Sequence, residues 1–279
     1  MAVLVFGGSS QIGHFLLPRL LASGEPVLAV SRAQRASTAE LTWLQGALPD
    51  RVPDMPVLSA VLCCGPLPAL AAWLERTPLQ HSPRIVALSS MSAEAKRDSG
   101  VAAERELAQQ IQAGEAALAR ACDRARYAWT VLRPTLIYGA GLDRSLTPLA
   151  QRAARMRLFP LPAGQGLRQP VHADDLAQAM LAALECPAAA GRVLAIGGGE
   201  RLSAEAMLAR VRRSLPCRSV PLPLPRWLLR CAGGVLPRWR GPLARLQLDQ
   251  VADNTEMQHL LGVQPRPFQP DTAMWRLPS

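Results

Sequence analysis

Ala-Val-Leu-Val-Phe-Gly-Gly-Ser-Ser-Gln-Ile-Gly, residues 2–13, sets a continuous apolar run against a glycine-rich turn. The run, bounded by that turn, reads as a strand buried on both faces. The segment that follows, 12–22, repeats its apolar residues with helical period. Gly7 lets the chain turn sharply, and Gly13 lets the helix pack closely on the sheet. Such a loop brings backbone N–H groups and the positive end of a helix dipole to one place, which suits a pyrophosphate. Gly7, Gly8, Ser9, Ser10, Gln11, Ile12 and Gly13 are therefore candidate dinucleotide-binding residues.

Further runs rich in Val, Ile and Leu lie at 27–30, 57–63, 85–88 and 129–132. Amphipathic segments at 67–75 and 101–126 separate them. Strands alternating with helices predict an α/β fold, a doubly wound parallel sheet covered on both faces. Beyond about residue 140 prolines recur and the texture becomes partly helical, with helices expected near 145–157, 173–185 and 203–215 and a strand at 192–196. The expected division is a core of residues 1–140, which the later strand joins, and a smaller C-terminal substrate lobe in 141–279.

The second strand ends in Ser31 and Arg32, with Arg35 close behind. An acidic residue there would bind ribose hydroxyls; a hydroxyl and two guanidinium groups suit a 2′-phosphate instead. NADP(H) is therefore the expected cofactor, with NAD(H) left open. Cys64 and Gly65, after the next strand, should line the adenosine side.

The chain of 279 residues carries a net charge of +10, yet its arginines are scattered and Lys96 is the sole lysine, so nucleic-acid binding is not expected. Six cysteines show no metal-ligand spacing and no disulfide framework, so no metal is expected. No secretory signal precedes the first strand, and prolines and Gly65 break the uncharged stretch 55–74, which makes the cytoplasm the expected compartment. Residues 225–240, rich in Trp, Leu and Arg, are expected to form a lid or part of the substrate lobe rather than to lie on an anionic membrane.

With these features the chain resembles the extended and atypical short-chain dehydrogenase/reductases, the group of NAD-dependent epimerases and dehydratases built on the Rossmann fold. Residues 7–13 are similar to its Gly-x-x-Gly-x-x-Gly loop, with Ser10 at the middle glycine. Leu-Ser-Ser-Met-Ser (88–92) resembles the strand end that carries a catalytic Ser or Thr. Leu-Arg-Pro-Thr-Leu-Ile-Tyr-Gly (132–139) resembles the segment beside the nicotinamide, and Gln-Pro-Val-His-Ala-Asp-Asp-Leu-Ala (169–177) the start of a substrate-lobe helix. The resemblance implies Pro134 and Thr135 at the cofactor and Ser89, Ser90 and Tyr138 as catalytic candidates.

One departure bears on activity. The family uses Tyr-x-x-x-Lys on the helix after the Leu-Ser-Ser strand, where the ammonium lowers the phenol's pKa for proton transfer. Aligned on Glu115, this chain has Leu107 and Ile111 in those slots, and the only tyrosines are Tyr127 and Tyr138. Leu107, Ile111, Leu118 and Cys122 are expected to form a packing stripe. Ser92, Lys96 and Glu104 are further groups able to supply chemistry. His172 is expected to be structural, and Asp174 or Asp175 to cap a helix starting near Leu176. The expected function is an NADP(H)-binding epimerase- or dehydratase-like oxidoreductase for a nucleotide sugar or another polar carbonyl or alcohol, with a degenerate site. The alternative is a non-catalytic dinucleotide-binding protein that senses cofactor or supports a complex. A small molecule is the expected partner, and a homodimer through exposed helices stays open.

Overall fold

A computed structural model of the chain describes residues 1–224 and 248–276. The expected lid, 225–240, lies outside the described residues. Strand β1 (Ala2–Phe6) runs through the glycine loop into α1 (Gly13–Ala22), followed by β2 (Val27–Ser31), β3 (Leu41–Gln45), β4 (Leu58–Cys63) and α2 (Leu67–Arg76). Next come β5 (Arg84–Leu88), a one-turn α3 (Ser92–Ala95), the long α4 (Ala102–Ala125) and β6 (Trp129–Pro134). Then follow β7 (Ile137–Tyr138), α5 (Leu146–Met156), β8 (Leu158–Pro162), β9 (Leu167–Arg168), β10 (Val171–His172), α6 (Ala173–Glu185) and β11 (Arg192–Ile196). After these come β12 (Leu202–Ser203), α7 (Ala204–Arg213), β13 (Val220–Leu224), α8 (Thr255–Leu261) and a closing 3-10 turn (Thr272–Trp275).

Seven strands form one parallel sheet in the order β11-β6-β5-β4-β1-β2-β3. The strand at 192–196 pairs with β6, Arg192 opposite Thr130 through Ile196 opposite Pro134. The segment around Trp43, to which periodicity assigned no element, is the edge strand β3, with Trp43 opposite Ala29.

Strand alternation divides the core in two. Val3 and Val5 face α1, α6 and α8, while Ala2, Leu4 and Phe6 face α2 and α4. Both sheet faces are thus covered, as a near-continuous apolar strand pattern requires. A third apolar cluster, built on Tyr138, Phe159, Phe268, Trp275 and residues of α5 and α7, is distinct from these two. β1 lies between β2 and β4, so the order of winding reverses there and leaves a crevice at the carboxyl ends of the strands. The glycine loop follows β1 at that crevice.

The packing of α4 departs from the expected stripe. Leu118 and Cys122 are fully buried, but Leu107 is 38% exposed and Ile111 is half-buried. The buried face runs through Glu104, Ala108, Glu115, Leu118 and Cys122, at helical spacing, and so includes two glutamates. α4 packs against α2 and α3, and Leu107 falls to the side of that contact line.

Candidate active site

The loop geometry follows from its glycines. Gly7 sits at φ +83, a conformation that L side chains rarely adopt, and a Cβ there would press on the Cβ of Cys64 at 3.0 Å. A Cβ on Gly13 would stand 2.2 Å from the carbonyl oxygen of Gly8. The Ser10 hydroxyl accepts from the Gly13 amide at 3.2 Å, so the residue at the family's middle glycine caps the loop it interrupts. Among the described residues the amides of Ser9, Gln11 and Ile12 donate to no protein acceptor. α1 has no acidic residue in its first turn and no side-chain bond at its cap. This end of α1 fits an anionic ligand.

Beyond the end of β2, the Ser31 hydroxyl accepts from the Ala33 amide at 3.2 Å and from Arg35 Nε at 3.3 Å. The Arg35 guanidinium lies 5.0 Å from the centroid of the Trp43 ring, and the same ring reaches the glycine loop at Gly8. Arg32 is exposed beside it. Gly8, Ser9, Ser10, Gly13, Arg35 and Arg276 border one cavity of about 440 Å³. Arg276 was not foreseen; it reaches the loop from the end of the described chain, lying against Gly141. Cys64 packs beneath the loop, and burial pushes its thiol well above the usual range. Burial likewise pushes Cys63 up to about 12, so neither thiol is a thiolate at neutral pH. The Gly65 amide donates to the Cys63 sulfur at 3.4 Å.

On the other side of the loop lies a cleft of about 370 Å³. Its walls include Gln11 from the loop, Ser90, Ser92 and Lys96 after β5, Pro134 and Thr135 after β6, and Asp143, Arg144 and Gln250 from the C-terminal half. The structure thus brings Gln11, Ser90, Pro134 and Thr135 around one space. Gln11 Oε1 is buried and, among the described residues, accepts no hydrogen bond, which leaves an acceptor available to a ligand's N–H or O–H. Thr135 donates its hydroxyl to the Gln169 carbonyl.

Ser89 and Tyr138 are not among the residues lining this cleft. Ser89 donates its hydroxyl to Glu115, a buried carboxylate that also accepts from Arg133 Nε at 2.7 Å and Arg133 Nη2 at 2.5 Å. Arg133 bonds Glu94 as well, so one guanidinium ties α3 and α4 to β6. Tyr138 is fully buried, edge-on to His172 and Phe268 with ring centroids 5.1 and 4.7 Å away, and burial pushes its phenol up to about 12. It belongs to the third apolar cluster.

The helix expected near Leu176 starts at Ala173, and its cap is His172 rather than Asp174 or Asp175. His172 Nδ1 accepts from the Asp174 amide at 3.1 Å. Burial, with Arg266 nearby, holds the imidazole below its usual pKa, in the neutral form that can accept. Asp174 bonds Arg19 at 2.8 Å, and Asp175 bonds Arg266 at 2.7 Å. His172, Asp174 and Asp175 lie within metal-binding reach of one another, but the two arginines occupy the carboxylates. Among the described residues no helix is long and apolar enough to cross a membrane.

A seven-stranded doubly wound sheet with a glycine loop at its switch point defines a dinucleotide-binding fold of the Rossmann class. Within that class, residues 79–197 match the NAD dependent epimerase/dehydratase family, as the sequence motifs led one to expect. No curated protein matches the chain. Among solved structures, MoeE5 in complex with UDP-glucuronic acid and NAD is similar at 20% identity and a TM-score of 0.72, over 96% of this chain and 94% of that one. UDP-glucuronic acid 4-epimerase from Bacillus cereus in complex with NAD is similar at 15% identity and a TM-score of 0.73, over 98% of this chain and 96% of that one. UDP-glucose 4-epimerase from Thermotoga maritima with UDP-glucose is similar at 18% identity and a TM-score of 0.69, over 95% and 94%.

Proposed function

We propose that the protein is an NADP(H)-binding enzyme of epimerase or dehydratase type that acts on a nucleotide sugar or another polar carbonyl or alcohol compound. The observation that carries this reading is the cleft in which the phosphate loop's Gln11 faces Ser90, Pro134 and Thr135. The similar solved structures contain NAD and uridine-diphosphate sugars, which supports the ligand class. The free amides of Ser9, Gln11 and Ile12 would hold the pyrophosphate, Gly7, Gly8, Ser10 and Gly13 shape its cradle, and Cys64 and Gly65 border the adenosine side. Ser31, Arg32 and Arg35 would take the 2′-phosphate, with Arg35 already braced on Trp43 and Ser31. When bound, the cofactor supplies a hydride donor or acceptor. The Ser90 hydroxyl would polarise the substrate oxygen, Pro134 and Thr135 would wall the nicotinamide, and Ser89 and Tyr138 would support the site from behind.

Leu107 and Ile111 on α4 favour a second reading, a dinucleotide-binding protein without turnover, since neither side chain transfers a proton. Titration with NADPH and NADH tests the cofactor assignment. NADPH is expected to bind tighter, and Arg35→Ala to weaken NADPH about tenfold while leaving NADH nearly unchanged, given one lost charge-assisted contact. Tighter NADH binding would reverse the preference. Wild-type protein that binds dinucleotide but converts neither UDP-glucose nor UDP-glucuronic acid would favour the non-catalytic reading.

A further inference from the structure

The residue after α3 is Lys96, the sole lysine of the chain. It is 9% exposed and lines the cleft beside Ser90, Ser92 and Thr135. Its ammonium lies 4.0 Å from Glu104 Oε1, in the first turn of α4. Glu104 is itself fixed, because the Ser99 hydroxyl donates to its other oxygen at 2.7 Å and Arg105 donates to the Ser99 carbonyl at 2.6 Å. Taking a lysine and a glutamate out of water is costly, and apolar residues of similar volume often stabilise a fold better. A buried ion pair at the wall of a cleft is therefore a functional candidate.

The neighbouring groups suit that role. Ser90 Oγ accepts from the Ser92 amide at 3.1 Å, which leaves its own proton to be donated into the cleft. Asp143, the carboxylate among the lining residues, is turned to the start of α5, where it accepts from the amides of Ser145, Leu146 and Thr147.

We infer that Lys96 is the catalytic ammonium of this cleft, delivered by the turn after β5 instead of by α4, and that it binds the substrate's reacting oxygen together with the Ser90 hydroxyl. This role rests on the functional reading above. With NADP+ bound as oxidant, oxidation would move a hydride from the substrate carbon to the cofactor and a proton from the substrate hydroxyl to water. The negative charge developing on oxygen is held by the two donors.

Because the chain has one lysine, amine chemistry reports on it alone apart from the N-terminus. The full chain is treated with pyridoxal 5′-phosphate and borohydride, and the adduct is located by peptide mass. Expected are labelling of Lys96 in the free protein and at least a tenfold slowing once NADP+ and UDP-glucuronic acid are both present. Lys96→Gln is expected to keep NADP+ affinity within about twofold while UDP-glucuronic acid conversion falls about a hundredfold or more, the scale of one proton-handling group. Lys96→Arg, which keeps the charge, is expected to recover part of the loss. A lysine that stays unlabelled in the free protein, or is labelled equally fast with both ligands bound, overturns the inference even if Lys96→Gln does not fold. Failure of the wild type to bind either dinucleotide overturns the functional reading itself, and is seen separately by titration before any labelling.

Discussion

The carbonyl oxygen of Gly8, 2.2 Å from where a Gly13 side chain would begin, belongs to backbone and cannot swing aside as a flexible side chain would. Gly13→Ala is therefore expected to lower stability by about 1–3 kcal/mol through overpacking. It should weaken dinucleotide binding as well, because the amides that face the ligand move with the loop. Urea unfolding and a fluorescence titration measure both, and an alanine variant with unchanged values would contradict this loop geometry. Gly7 and Gly13 were legible in the sequence because their spacing after a strand has one steric meaning. Trp43 and Arg276 were not, since a ring that reaches Gly8 from β3 and a side chain that returns from residue 276 depend on tertiary approach. For Tyr138 the resemblance suggested a place near the nicotinamide; its ring packs against Phe268 and is not among the residues lining the cleft, a packing that sequence does not reveal.

Element by element, α4 shows what periodicity conveys and what it conceals. Its length was readable and its buried face only in part, at Leu118 and Cys122; Glu104 and Glu115 on that face have their partners outside the helix, Lys96 and Ser99 for one and Ser89 and Arg133 for the other. Glu115→Ala leaves the Arg133 guanidinium, among the described residues, with only Glu94 and should destabilise by about 3 kcal/mol, the usual cost of breaking a buried pair. Glu115→Gln, which can still accept from Ser89 or Arg133, should lose less, as chemical denaturation of the two variants would show. α6 carries a pH dependence. The imidazole of His172 has a lower pKa in the folded protein than the ordinary histidine value of about 6.5, so the unfolded chain takes up the proton first as pH falls. Its contribution is full above about pH 6.5 and is lost as pH falls through the folded value. Thermal unfolding at pH 7.5 and pH 5.5 should show a smaller drop for His172→Asn, which keeps a cap acceptor without titrating. An equal drop in both proteins would place the effect elsewhere.

For the molecule as a whole, the parallel sheet was legible from five apolar runs and the helices between them, because burial on both faces leaves a plain sequence mark. The edge strand β3 left a weaker one: Thr42 and Gln45 are exposed, so its apolar run is broken. The two-residue strands β7, β9, β10 and β12 left none, for a pair that short has no period to read. The cleft took shape only when Gln11, Lys96, Thr135 and Gln250, far apart along the chain, could be seen to share one space.

The position of β11 also bears on how the protein is made. Six strands of the sheet have been synthesised by Pro134, but the seventh ends at Ile196, after the whole stretch from β7 to α6. At about 5–20 residues per second, translation needs about 3–12 s to cross that interval. Throughout it the outer edge of β6 presents unpaired backbone groups to the cytosol of whatever cell expresses the gene, a template for wrong pairing. Slow codons or a missing chaperone should therefore tell on this protein's yield in the stretch between residues 134 and 196, before its ligand site can form.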